Sequence, residues 1–107
     1  MPIAVALLVH SEGREDVTLV HGGAQGADQI AAKAAYAFGW KVEEWIPNWA
    51  ELGKRAGFIR NQHMVDLGAD LCIAFSRDNS RGTAHCAKAA EAAGIPTIWI
   101  YYEDPDA

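Results

Sequence analysis

Residues 20–28 read VHGGAQGAD, and the reading of this stretch decides the fold. Gly22, Gly23 and Gly26 fall within five positions, directly after the β-branched run VTLVH (17–21) and directly before an alanine-rich pattern. Glycine costs backbone entropy, so this density marks a place where the chain turns sharply or where something approaches the backbone closely. From Gly26 onward Ile30, Ala31, Ala34, Ala35 and Phe38 recur at helical spacing, and Gly39 follows as a stop. The segment is therefore a strand, a glycine loop and the start of a helix. Its spacing approaches GxGxxG, with His21 where the first glycine would stand. Alone, that spacing fits a ligand-free tight turn as well as it fits a phosphate loop.

The same punctuation continues outward. KVEEWI (41–46) is a second strand closed by Pro47, and NWAELGKRAG is a turn or one short helix broken by Gly53 and Gly57. FIRNQHMVDLG is a helix ending at Gly68, and DLCIAF (70–75) is a third strand. After the polar SRDNSRG, TAHCAKAAEAAG (83–94) is a second alanine-rich helix and PTIWIY (96–101) the last strand. Strand–helix alternation at this spacing implies right-handed crossovers. The expected fold is α/β, a three-layer Rossmann-like parallel sheet with helices on both faces, in a single domain over residues 1–107 without internal repeats. Apolar runs at three of the four strands imply burial on both sides. IAVALLVH (3–10) suits a short helix. As a strand it would have to pair antiparallel or across a dimer, because too few residues separate it from residue 17 for a parallel crossover.

Composition narrows the function classes. Half of the residues are apolar, 21% are charged and the net charge is −5, which argues against a broad nucleic-acid surface. Positive charge concentrates only in GKRAGFIR, with Lys54, Arg55 and Arg60. Cys72 and Cys86 lie in apolar contexts outside any zinc spacing, so they read as reduced core residues of a cytoplasmic protein. The apolar run near the N-terminus is too short for a membrane span and lacks the features of a signal peptide. No set of His, Cys, Asp and Glu has metal-ligand spacing, and no cofactor is implied.

Ligands of open parallel sheets bind at the carboxyl ends of strands, where helix N-termini offer N–H groups to anions. Gly22 and Gly23 would admit phosphate oxygens, and Gly26 would let the helix pack on its strand. A second loop of the same kind is SRGT (80–83), where Gly82 and Thr83 offer N–H groups and Ser80 and Thr83 offer hydroxyls or simple N-caps. Two such loops imply one anionic ligand held between them. Arg60 carries the fork suited to phosphate or carboxylate, and Asn61 could meet a base or ribose edge. The plainer alternative for Arg60 is a surface ion pair with Asp28 or Asp66. Asp28 caps the helix or holds the glycine loop, since beside a phosphate it would repel. Glu43 and Glu44 stand where a dinucleotide fold places its ribose acid, and His21 and His85 flank the two loops. Trp45, Trp49 and Trp99 read as packing residues, with base stacking the other role open to Trp49.

Taken in order, VHGGAQGAD, NWAELGKRAGFIRN..M, DLCIAF and SRGTAH...AAEAAGIP resemble the YspA-like, cpYpsA-related branch of the SLOG superfamily, over residues 17–101. The resemblance implies a Rossmann-like domain of bacteria and many phages that binds nucleotides or nucleotide-derived ligands. Distant relatives of that branch include LOG-type phosphoribohydrolases and DprA. It assigns Gly22, Gly23, Gly26 and Asp28 to the glycine loop, Arg60, Asn61 and Met64 to an RN..M element, and Gly82 and Thr83 to a loop that reads PGGxGTxxE in LOG enzymes. Two departures stand out. Cys86 falls where the LOG glutamate would be and RDNS where its glycines would be, so the carboxylate for N-glycosidic cleavage is missing from its place. The resemblance also implies a first strand that precedes the matched segment and is missing here, so residues 3–10 match the family's first helix. The expected function is binding of a nucleotide-like small molecule by a sensor or accessory module. The alternatives are a phosphoribohydrolase-like enzyme and an interaction module with a dead pocket. Pairing of LOG enzymes through helices, together with an apolar N-terminal segment, implies a homodimer.

Overall fold

The computed structural model describes residues 3–23, 26–76 and 81–101. They form two compact units, one from the chain up to Trp45 and the other Ile46–Tyr101. Each unit contains one βαβ crossover.

In the first unit, α1 (Ile3–His10) precedes β1 (Thr18–His21), α2 (Ala27–Ala37) and β2 (Lys41–Glu44). The N-terminal segment is thus a helix. It buries Ile3, Ala6 and Leu7, spaced for one helical face, and packs on α2, which buries Ala31, Ala32 and Ala35. Alanines on both helices permit a close approach. Strands β1 and β2 pair in parallel, running from Thr18 beside Lys41 to His21 beside Glu44.

The second unit begins with α3 (Trp49–Leu52), a 3-10 turn at Gly53–Arg55 and α4 (Ala56–Asp66). Asn48 caps α3: its Oδ1 accepts from the Glu51 N–H at 3.3 Å, and its amide donates to the Glu51 carboxylate at 3.2 Å. Then come β3 (Cys72–Ser76), α5 (Arg81–Ala92) and β4 (Thr97–Tyr101), with β3 parallel to β4 from Cys72 beside Thr97 to Ser76 beside Tyr101. Val65, Ala90 and Ile95 form its core, with Cys72 and Ala89 against them.

The glycine stops act as expected. At the end of α2, Gly39 has φ of 78°, its N–H donates to Tyr36 O at 3.1 Å, and the Trp40 N–H donates to Ala35 O at 2.9 Å. Gly94 ends α5 in the same way, with the Ile95 N–H reaching Ala90 O at 2.9 Å. Both are Schellman closures, which need a residue tolerant of positive φ and tuck the following apolar residue inward. Trp40 and Ile95 are accordingly buried.

The chain is therefore α/β with short parallel strands. The expected double-sided burial of the strands is not met. Alternate residues of β1 are exposed, β2 has only Val42 partly covered, and Trp99 on β4 is 48% exposed. Among the described residues the strands pair two by two, so every strand has an open edge. No helix among the described residues is long and apolar enough to cross a membrane.

Candidate functional site

In the first unit the site residues gather at the carboxyl end of β1. His21 is 6% exposed, and its Nδ1 accepts the Gly23 N–H at 3.1 Å. Its Nε2 lies 3.8 Å from Oε2 of Glu44, its neighbour across the parallel ladder. The Gly22 N–H donates to Oδ2 of Asp28 at 3.0 Å, and the Gln29 amide donates to Gly23 O at 3.2 Å. Gly23 and Gly26 both have positive φ, 74° and 85°, and Gly26 opens α2 without a side-chain cap. Glycine is thus needed here for backbone shape. Any Cβ at Gly23 would also meet the Glu44 carboxylate at 3.4 Å.

Gly22 and Gly23 are the positions expected to admit phosphate oxygens; in the structure their N–H groups are held by Asp28 and His21. Asp28 is the residue that holds the loop. With Glu44 beside Gly23, the loop carries two carboxylates, which attract hydrogen-bond donors and repel a bare phosphate. Glu43 points elsewhere and accepts from Trp45 Nε1 at 2.9 Å.

In the second unit the organising residue is Asn61, 4% exposed on α4. Its Oδ1 accepts from Arg60 Nε at 2.8 Å, and its Nδ2 donates to Gly82 O at 3.3 Å. The same Nδ2 lies 3.5 Å from Nδ1 of His85, where a hydrogen bond requires the tautomer with Nδ1 unprotonated. One amide therefore ties Arg60 to the first turn of α5. That helix is described from Arg81 onward, two residues before its sequence pattern, and carries Gly82 and Thr83 near the beginning of its described span. Ser80 lies outside the described residues.

Aromatic groups surround this arrangement. Phe58 stacks on His85 with ring centroids 4.5 Å apart. Trp49, expected to pack inside, is 58% exposed. Its edge and the Arg60 guanidinium both flank Gly57, where a Cβ would lie 3.5 Å from Trp49 Cη2 and 4.0 Å from Arg60 Nη2. Sequence reasoning missed the His21–Glu44 and Phe58–His85 pairs. The first had a readable signal, because the two residues end adjacent strands of equal length. The second joins two helices and had none. A shallow groove elsewhere in the first unit, lined by Leu8, Arg14, Phe38 and Trp40, contains none of the expected site residues. Among the described residues no group of three or more His, Cys, Asp or Glu is placed to hold a metal ion.

Comparison with known proteins supplies the family. The Gene 61 protein of Mycobacterium phage D29 is 45% identical over 87 residues, covering 77% of this chain and 70% of the phage protein. The profile of the YspA, cpYpsA-related SLOG family matches residues 7–51. The chain belongs to this SLOG family. The matched segment includes the glycine loop and Trp49 and stops short of Arg60 and Gly82. No solved structure matches this SLOG chain.

Proposed function

We propose that this SLOG protein binds a nucleotide or nucleotide-derived phosphate ligand as a sensor or accessory module. The observation that carries the reading is Asn61. A buried amide whose oxygen and nitrogen fix an arginine against the start of a helix is a costly arrangement for mere packing, since it buries polar groups. It is a natural way to aim Arg60 at an anion near Gly82 and Thr83. The exposed ring of Trp49 offers a stacking face beside that arginine. Taken by itself, the first unit presents Asp28 and Glu44 beside the loop shaped by Gly22, Gly23 and Gly26, two carboxylates suited to hydroxyl donors. Asn61 itself then serves as a positioning residue.

The phosphoribohydrolase reading loses support at Cys86, which occupies the position of the LOG glutamate and lies against Cys72. On our reading the chain is one Rossmann-like domain acting in the cytoplasm. The supports are family membership and strand–helix alternation. Self-association as a homodimer belongs to the same proposal, supported by the exposed apolar residues of α1.

A thermal-shift panel of nucleoside mono-, di- and triphosphates, NAD, ADP-ribose and cyclic nucleotides tests the binding claim. A ligand at roughly 100 times its Kd stabilises by about 2.7 kcal/mol, or several degrees in a domain this small. A flat response across the panel overturns the reading. Release of free base from any member would revive the hydrolase.

A further inference from the structure

His21 is a titratable group that the proposed ligand contacts do not use, and it is 6% exposed at the end of β1. Its backbone is pinned, because its carbonyl accepts the Trp45 N–H at 2.8 Å. Its ring has two neighbours with opposite demands. Nδ1 accepts the Gly23 N–H at 3.1 Å, so that nitrogen carries no proton and the neutral ring bears its hydrogen on Nε2. Nε2 lies 3.8 Å from Oε2 of Glu44, beyond a hydrogen bond but within reach of an ion pair. Gly23 therefore demands a neutral ring, and Glu44 attracts a charged one.

We propose that His21 is a proton-operated latch on the glycine loop: the neutral imidazole holds Gly23, and the imidazolium releases it and pairs with Glu44. A proton on Nδ1 would set its N–H against the Gly23 N–H at 3.1 Å, so protonation and the Gly23 contact exclude each other. Each state gives the ring one partner, which makes two discrete arrangements in place of a graded one. By linkage, whatever draws Gly23 away eases protonation of the ring, and protonation eases the release of Gly23.

The loop is built for a local release. The Gly22 N–H is held by Asp28 at 3.0 Å and Gly23 O by the Gln29 amide at 3.2 Å, and neither bond involves the ring. Gly23 has φ of 74° and no side chain to resist rotation of its peptide. Strand β2 and helix α2 both pack on β1, and the charged groups they bring to this end are Glu44 and Asp28. Lys41 stands at the far end of the ladder beside Thr18, Glu43 accepts from Trp45, and Lys33 and Tyr36 are exposed on α2. Both facing groups are carboxylates, which stabilise a charged ring once Gly23 has left it. A freed backbone N–H beside a cationic ring would offset the two carboxylates that turn the closed loop away from phosphate. That consequence rests on the ligand reading above; the latch itself does not and is tested without a ligand.

The test is an NMR titration of the full chain from about pH 8 to about pH 5, the interval in which imidazoles change charge. The ring nitrogens and the Gly23 amide are followed together, with the His21 signals assigned by their loss in His21→Asn. At the alkaline end the ring should carry its proton on Nε2. The Gly23 amide shift should then move with the same midpoint as the ring. Its exchange protection, corrected for the intrinsic effect of pH, should fall about tenfold, the loss of one hydrogen bond. Glu44→Gln should need more acid for the same release, because the carboxylate that draws the charge is gone. His21→Asn should leave the Gly23 amide unchanged across the range, since an amide oxygen accepts but does not titrate. A neutral ring with its proton on Nδ1 overturns the proposal. So does a Gly23 amide that keeps its shift and protection while the ring charges, or a ring that stays neutral throughout. These wild-type outcomes decide the matter even if a variant does not fold. A flat ligand panel beside a coupled titration would sink the ligand reading and leave the latch standing.

Discussion

At the scale of single residues, the second unit's site turns on one amide. The sequence marks Arg60 and Asn61 as neighbours in an RN..M element, but it gives both an outward role. In the structure Asn61 is buried and accepts from Arg60, so on the proposed reading Arg60 meets the ligand and Asn61 positions it. Arg60→Ala should weaken ligand affinity by about 1.5–3 kcal/mol, the range of a charge-assisted hydrogen bond, with little change in melting temperature. Arg60→Lys should recover only part of the affinity, because an ammonium lacks the planar fork. Asn61→Ala should cost both, with a stability loss of about 1 kcal/mol from the lost hydrogen bonds of the buried amide to Arg60 and Gly82. Affinity and melting temperature measured on the three variants separate aiming from bracing; unchanged affinity in Arg60→Ala removes it from the site. Cys72 gives a second test at this scale. Its folded pKa is depressed, to about 7, by the Cys86 and Thr97 hydrogen bonds against burial and the Glu91 charge on α5. A depressed acid contributes stability that is fully present above its unfolded value and lost as pH falls through the folded one. Unfolding free energy should therefore gain an increment between about pH 7 and about pH 8.5, the ordinary thiol value. Denaturant titrations across that window should show it in the wild type and not in Cys72→Ser.

At the scale of elements, the order of strands and helices was legible because α2, α4 and α5 are each followed closely by a glycine. Gly39 and Gly94 announce the ends of α2 and α5 by a rule that needs no tertiary information. The cost of breaking that rule can be isolated at Gly94, whose φ is 80° and around whose ideal Cβ no atom lies within 4 Å. Gly94→Ala meets no clash, so it should lose only the backbone penalty, about 1 kcal/mol, read as a fall of several degrees in melting temperature. Element starts were less legible. Helix α5 is described from Arg81, before its apolar periodicity sets in, and residues 77–80, which hold the expected Ser80, lie outside the described residues. Strand burial was not legible either. Apolar strand residues such as Val20 and Trp99 state a preference for cover, whereas their exposure depends on which neighbours the sheet supplies.

At the scale of the whole molecule, the chain repeats one plan: a parallel strand pair, a crossover helix of eleven or twelve residues, and a Schellman glycine. That plan and the glycine loop were readable in the sequence. The pairs that build the candidate sites depend on register and helix–helix contact, which periodicity does not encode. Helix α1 departs from the plan in a way that bears on assembly. A surface helix ordinarily turns charged residues outward, but α1 has no charged residue before His10. Its inner face, Ile3, Ala6 and Leu7, is buried. The opposite stripe, Val5, Leu8 and Val9, stands at least 45% exposed. Three apolar residues at helical spacing form a ready self-complementary contact, since a two-fold axis sets the same stripe against itself. A net charge of −5 opposes association over distance, so burial of that stripe must supply the attraction. Light scattering should accordingly find a dimer that dissociates on dilution, with little sensitivity to salt beyond the weakening of repulsion. Leu8→Glu places a charge in the stripe and should give a monomer. Its melting temperature, taken at low concentration where the wild type is also dissociated, should stay within a few degrees, because a half-exposed Leu contributes little to its own unit. A wild-type chain that remains monomeric at high concentration would leave the exposed stripe without this explanation.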